Sequence, residues 1–175
     1  MSIKRATQIG EGVIRQKAAL VKNALDKKAQ QIIKDLVDSM RHDNLVGMAA
    51  PQIGRGLRIF VTEIRHTTYR KNISKPDPLR VFINPRIVWR SKRKAIGYEG
   101  CGSVASSALF GLVKRPASVI CRALDKNGEP FTVRATGLLA RAIQHEMDHL
   151  NGIVFIDQVS TKSLVDKETY INGRG

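Results

Sequence analysis

Apolar residues recur at helical spacing over residues 18–40, where Leu25, Ala29, Ile32, Ile33, Leu36, Val37 and Met40 share one side and charges fill the rest. The spacing predicts one long amphipathic helix packed on a core. Residues 44–56, rich in glycine, alanine and proline, read as a loop. Residues 57–64 alternate Leu57, Ile59 and Val61 with Arg58, Phe60 and Thr62, which predicts a strand. Residues 66–78 are polar and hold two prolines, as a surface loop would. A second strand region covers 80–89, interrupted at Asn84-Pro85, and residues 95–104 surround Cys101 with three glycines. Residues 118–124 and 130–135 read as strands joined through Asp125-Lys126-Asn127-Gly128, a hairpin turn signal.

Thr136 stands where it can cap a helix running to about Leu150, and Asn151-Gly152 stops it. Leu139, Ile143, Met147 and Leu150 form that helix's core stripe. Residues 153–159 predict a brief strand, and 160–175 a polar tail, helical or frayed, anchored by Leu164, Val165, Tyr170 and Ile171. The chain has no internal repeats. Strands grouped between two helices predict an α+β fold rather than alternating βαβ units, built as one domain over residues 1–175.

The composition fits a globular chain with an aliphatic core: 42% of residues are hydrophobic but only 5% aromatic. No apolar run is long enough to span a bilayer, and the first residues lack the apolar stretch of a secretory signal. The expected compartment is therefore the cytoplasm. In that setting the two cysteines, Cys101 and Cys121, are not expected to pair, and Cys121 reads as a small buried hydrophobe. The formal net charge of +15 implies attraction to polyanions such as RNA, ribosomal surfaces or acidic membranes. Basic residues are densest over 86–94, around Trp89, yet no nucleic-acid motif accompanies them. The charge is read as non-specific electrostatic attraction.

Chemistry concentrates in Gln144-His145-Glu146-Met147-Asp148-His149. Two histidines four apart lie on one helical face and can bind one metal ion, with Glu146 close enough to handle the proton of a water there. A catalytic site of this kind needs a third protein ligand and an open position. No histidine follows His149, and His42 and His66 lie in or beside loop-like segments. Cys101, flanked by glycines in Glu99-Gly100-Cys101-Gly102-Ser103, fits better, since glycines let backbone approach an ion closely. Gly47-Met48-Ala49-Ala50-Pro51-Gln52-Ile53-Gly54 is a further loop of small residues, with Gln52 offering an amide donor.

Together these three segments, in this order, resemble the peptide deformylase family; Gln8-Ile9-Gly10 and Asn84-Pro85 extend the likeness over roughly residues 8–157. The resemblance implies the family's α+β fold and removal of formate from N-formylmethionine on newly made polypeptides. It implies one divalent ion on Cys101, His145 and His149, Fe(II) in the cell with Zn or Ni able to occupy the site. It also implies Glu146 as general base and then acid, and the Gln52 amide with the Gly102 backbone N–H as oxyanion donors. Val46, Leu138 and Ala142 match positions of the methionine slot, and Gly47 and Gly100 flank the path of the peptide backbone. Asp148 is expected to pair with a base such as Arg115.

Four positions leave the common pattern of that family: Leu45 stands for a glycine, Gly102 for a bulky apolar residue, Ala105 for a proline and Arg141 for an apolar residue. Gly102 is expected to loosen the oxyanion loop, and Arg141 to narrow the pocket or attract acidic groups. Two other functions compete. A zinc peptidase would use a third histidine or glutamate, against which Cys101 stands. A basic RNA- or ribosome-binding protein with an idle metal site would have no need of Glu146.

Overall fold

Asp26 decides where the first helix begins. In the computed structural model, which describes residues 2–67, 70 and 72–173, its carboxylate accepts the backbone N–H of Lys28 at 3.2 Å and caps helix α1 (Lys27–His42). The helix expected from residue 18 thus starts nine residues later. Residues 18–24 form no helix, because other segments take their backbone groups: Ala19 N–H reaches Gly56 O, Arg58 N–H reaches Ala19 O, and Asn84 bonds both the N–H and the carbonyl of Val21 at 2.9 Å. Leu25, assigned to the helical stripe by its spacing, is 63% exposed.

Among the described residues, eight strands follow in two antiparallel sheets. β1 (Gly47–Ala49), β2 (Ile59–Ile64), β3 (Asp77–Arg90), β6 (Ser118–Leu124) and β7 (Pro130–Thr136) form the larger, in the order β1-β2-β3-β6-β7. β4 (Lys94–Gly100), β5 (Leu109–Pro116) and β8 (Val165–Asp166) form the smaller, in the order β4-β5-β8. The loop expected over 44–56 holds β1 and a 3-10 turn, Ala50–Ile53. Asn84-Pro85 does not break β3: it shifts the register between Ile83 and Arg86, as a bulge does where proline has no N–H to donate. The hairpin between β6 and β7 stands as expected. No strand forms over 153–159, where the chain makes a 3-10 turn, Phe155–Asp157, around buried Phe155.

Helix α2 (Gly137–His149) and α1 lie on opposite faces of the larger sheet. α1 packs on Met48, Ile59, Val61, Val81 and Ile83; α2 packs on Phe60, Phe82, Val119, Cys121 and Val133 through Ile143, Met147 and Leu150. α2 also touches β5, so it bridges the two sheets. Thr136 occupies its N-cap position, but the hydroxyl makes no capping bond. The polar tail carries β8 and helix α3 (Lys167–Asn172), pinned by Tyr170 stacked on Phe110 with ring centroids 4.0 Å apart. Residues 68, 69 and 71 of the loop expected over 66–78, and 174 and 175 of the tail, lie outside the described residues. No helix among the described residues is long and apolar enough to cross a membrane.

The two caps separate in a thermal melt. Asp26→Ala removes a capping bond and is expected to cost about 1 kcal/mol, or roughly 2–4 °C in Tm for a chain of this size. Thr136→Ala removes none and should stay within about 0.5 kcal/mol. An equal loss in both variants would contradict this assignment.

Candidate metal centre

The helical periodicity of α2 places His145 and His149 on one face, a turn apart, and β4 delivers Cys101 from the smaller sheet to meet them. The ligand atoms of the three residues all lie within 4.8 Å of one another. Cys101 and His149 are buried, and His149 Nε2 stands 3.2 Å from Cys101 Sγ. Two further donors converge on that sulfur at 3.4 Å, the Gln52 side-chain amide and the Ser103 backbone N–H. Burial alone would push the Cys101 thiol up; His149 and His145 outweigh it and hold the thiol well below its ordinary value. Cys121, equally hidden but among apolar side chains, is pushed up to about 12 by burial. The same residue type is thus poised as a thiolate in one place and inert in the other.

Glu99, to which the sequence motifs assign no role, organises the site. Its buried carboxylate takes two bonds from Arg115, Nε at 2.6 Å and Nη2 at 2.8 Å, and a third from Arg141 Nη1 at 2.6 Å. Its Oε2 also meets His145 Nδ1 at 2.9 Å. That contact fixes the ring and leaves the other ring nitrogen to the cluster, the usual support of a metal-bound histidine. Burial would push the Glu99 carboxyl up, but Arg115 and His145 hold it well below the usual carboxylate range. Arg115 extends the network to Asp148 Oδ2 at 2.7 Å, so the expected Asp148–Arg115 pair is present. Arg141 sends its guanidinium to Glu99 and to the carbonyls of Val113 and Ala95, so it braces the site rather than waiting for acidic ligands.

Glu146 is buried beside the cluster, and its Oε2 has no hydrogen-bond partner among the described residues. Burial raises its carboxyl to about 7, against the opposing pull of His145 and His149. It lies close under β1, where a Cβ added at Gly47 would come within 2.5 Å of Glu146 Oε1. Gly100 is equally cramped, against the Phe110 ring at 2.5 Å. Glycine at both places is what lets strand and loop close around the site.

A cleft opens over the centre. Val46, Gly47, Leu138 and Ala142 line it with Gln52, Gly100 and Gly102, and Cys101, His145 and Glu146 share its surface. His149, fully buried, lies beneath the cleft rather than on its surface. Val46 and Ala142 belong to a small apolar cluster with Ile64, against which Leu138 packs. The N-terminal segment is bonded to the Gly102 loop: Gln8 Nε2 donates to Gly102 O at 2.8 Å, Ser106 N–H donates to Gln8 Oε1 at 3.1 Å, and Ile9 N–H donates to Ser103 O at 3.0 Å. The N-terminal segment thus straps the loop despite the glycine and the missing proline.

A thiol favouring its thiolate, two imidazoles, one of them oriented by a carboxylate, and a buried free carboxylate oxygen alongside fit a divalent ion and a water. Removing the orienting carboxylate charge should loosen the ion. Glu99→Gln is expected to weaken zinc binding about 10- to 100-fold in a chelator competition while the chain stays folded. Unchanged affinity would mean that Glu99 only joins the sheets.

The Polypeptide deformylase sequence model matches residues 3–164. The chain is 38% identical over 165 residues to the peptide deformylase of Microchaete diplosiphon, covering 94% of this chain and 83% of that one. It resembles the class I type b peptide deformylase of Acinetobacter baumannii with a TM-score of 0.85 and 30% identity, covering 91% of this chain and 100% of that one. A structure of the Acinetobacter protein with Met-Ala-Ser bound aligns with a TM-score of 0.84, again at 30% identity and covering 91% of this chain and 100% of that one. The chain belongs to the polypeptide deformylase family, metal-dependent hydrolases that release formate from N-formylmethionyl peptides.

Proposed function

We propose that Cys101, His145 and His149 hold one divalent ion in this deformylase and that Glu146 moves the proton of the reaction. The convergence of the three ligand atoms beside a buried, unpartnered carboxylate oxygen carries this reading. Fe(II) is the proposed cellular ion, and Zn or Ni suits the same donors. When bound, such an ion supplies Lewis acidity that polarises a carbonyl and acidifies water. Glu146 takes a proton from the attacking water and returns it to the departing amine, and a carboxyl raised to about 7 suits both halves of that task.

The Gln52 amide and the Gly102 backbone N–H face the carbonyl oxygen as it gains charge, each donor worth roughly 3–4 kcal/mol to the transition state. Gln52 is held for this by the Ala49 N–H, which donates to its Oε1 at 2.8 Å. Val46, Leu138 and Ala142 receive the methionine side chain. Gly47 and Gly100 admit an extended peptide between them. The Met-Ala-Ser peptide bound by the Acinetobacter relative supports a substrate of this shape. The chain works as one domain in the cytoplasm on nascent chains, and its +15 charge draws it to the ribosome without specific contacts.

Formate release from formyl-Met-Ala-Ser tests the assignment. With protein purified anaerobically, Glu146→Ala is expected to lose nearly all turnover while keeping a full complement of metal. Full activity in the variant would overturn the proton-shuttle role. Cleavage of internal peptide bonds without formate would overturn the cleft assignment.

A further inference from the structure

α1 covers the larger sheet over β1, β2 and the first half of β3. Beyond it, the second half of β3 with β6 and β7 presents a face that neither the core nor the metal centre uses. On β6 the buried Val119, Cys121 and Ala123 alternate with Ile120 and Arg122, and on β7 the buried Val133 and Ala135 alternate with exposed Thr132 and Arg134. The register sets the outward residues in rows: Arg86 beside Arg122 beside Thr132, then Trp89 beside Ile120 beside Arg134. Lys92, Arg93 and Lys94 continue the charge at the turn into β4. Over residues 86–94, 118–124 and 130–136 there are seven basic side chains and no acidic one.

Two features make this more than a solvated surface. Arg86 and Arg122 are direct cross-strand neighbours of like charge, an arrangement that destabilises a sheet. Among the described residues, no ion pair or hydrogen bond engages the side chain of Arg86, Arg122 or Arg134, whereas Arg115, Arg141, Arg80 and Arg41 all have acidic partners. In the midst of these charges Trp89 is 50% exposed. Guanidinium forks match phosphate oxygens, and an exposed indole offers a face on which a base can stack.

We propose that this face is a docking site for single-stranded RNA, with phosphates on Arg86, Arg122 and Arg134 and a base on Trp89. RNA suits the face better than an anionic membrane does: five of its seven cations are arginines, whose planar forks pair with phosphate oxygens, and they stand on a sheet rather than along an amphipathic helix. An acidic protein would leave the indole without a stacking partner. None of Arg86, Trp89, Arg122 and Arg134 lines the cleft over the metal centre, so an RNA held here leaves that cleft open. The site goes beyond the general electrostatic attraction of a +15 chain and is independent of the deformylation chemistry.

Trp89 is the single tryptophan, so its emission reports on this face directly. The metal-loaded full chain is titrated with a labelled oligouridine of about twelve nucleotides between about 50 and 200 mM salt, following Trp89 emission and RNA anisotropy. The expected result is saturable quenching whose affinity falls steeply with salt. Arg86→Gln with Arg122→Gln should lower affinity about tenfold or more and the salt slope by about 1.4. Trp89→Ala should lower affinity by anisotropy about tenfold. Lys162→Gln, on the smaller-sheet side, should bind as wild type. The double variant should melt no lower than wild type and release formate normally, which separates lost docking from lost folding. Absent quenching, unchanged affinity in the double variant, or an equal loss in Lys162→Gln would overturn the proposal. So would equal quenching by phosphatidylglycerol vesicles or polyglutamate.

Discussion

One buried charge holds this molecule together at its working point. Glu99 sits at the end of β4 with its carboxylate out of water, where an unpaired charge would cost several kcal/mol. Arg115 from β5 and Arg141 and His145 from α2 surround it. The smaller sheet and the α2 helix, which itself lies on the larger sheet, are thereby locked in one geometry. Cys101 is two residues further along the same strand end. The interaction that neutralises Glu99 therefore also sets where the sulfur meets the two imidazoles. The same carboxylate thus joins the sheets and orients the ligands.

The departures from the family's common residues make sense within that frame. Arg141, where an apolar residue is usual, adds a second guanidinium to Glu99 and ties down two strand carbonyls. Gly102 and Ala105 forgo stiffness in the Cys101 loop. Gln8 and Ile9 restore it from the N-terminal side with three hydrogen bonds. Rigidity at the centre is supplied by partners distant in sequence rather than by the loop's own residues.

What could be read from the sequence follows from the range of the forces involved. His145, Glu146 and His149 are related by helical spacing alone, so their juxtaposition was legible from residue order. The β6–β7 hairpin was legible for the same reason. Cys101 is a candidate by its glycine-flanked setting, but its place beside the histidines, like that of Gln52, rests on the family resemblance, since nothing local brings β4 or the 3-10 turn to α2. Glu99 carried no signal of its own beyond standing next to that cysteine: its partners lie 16, 42 and 46 positions away. Helix α1 starts later than apolar spacing predicts, because that spacing continues through residues 18–24 while Asn84, Gly56 and Arg58 claim their backbone. β5 carries little strand signal of its own, its Leu109, Leu112 and Val113 interspersed with glycine and basic residues, and it forms by pairing with β4, a tertiary property. Residues 153–159 are apolar enough for a strand, but Phe155 is buried by a 3-10 turn instead.

The proposed function requires a single ion held by one sulfur and two imidazoles. X-ray absorption at the metal edge of the zinc-loaded chain measures that directly. One sulfur at about 2.3 Å and two imidazole nitrogens at about 2.0–2.1 Å are expected, with the sulfur lost in Cys101→Ser. A spectrum without sulfur in the unaltered chain, or with three imidazoles, would contradict it.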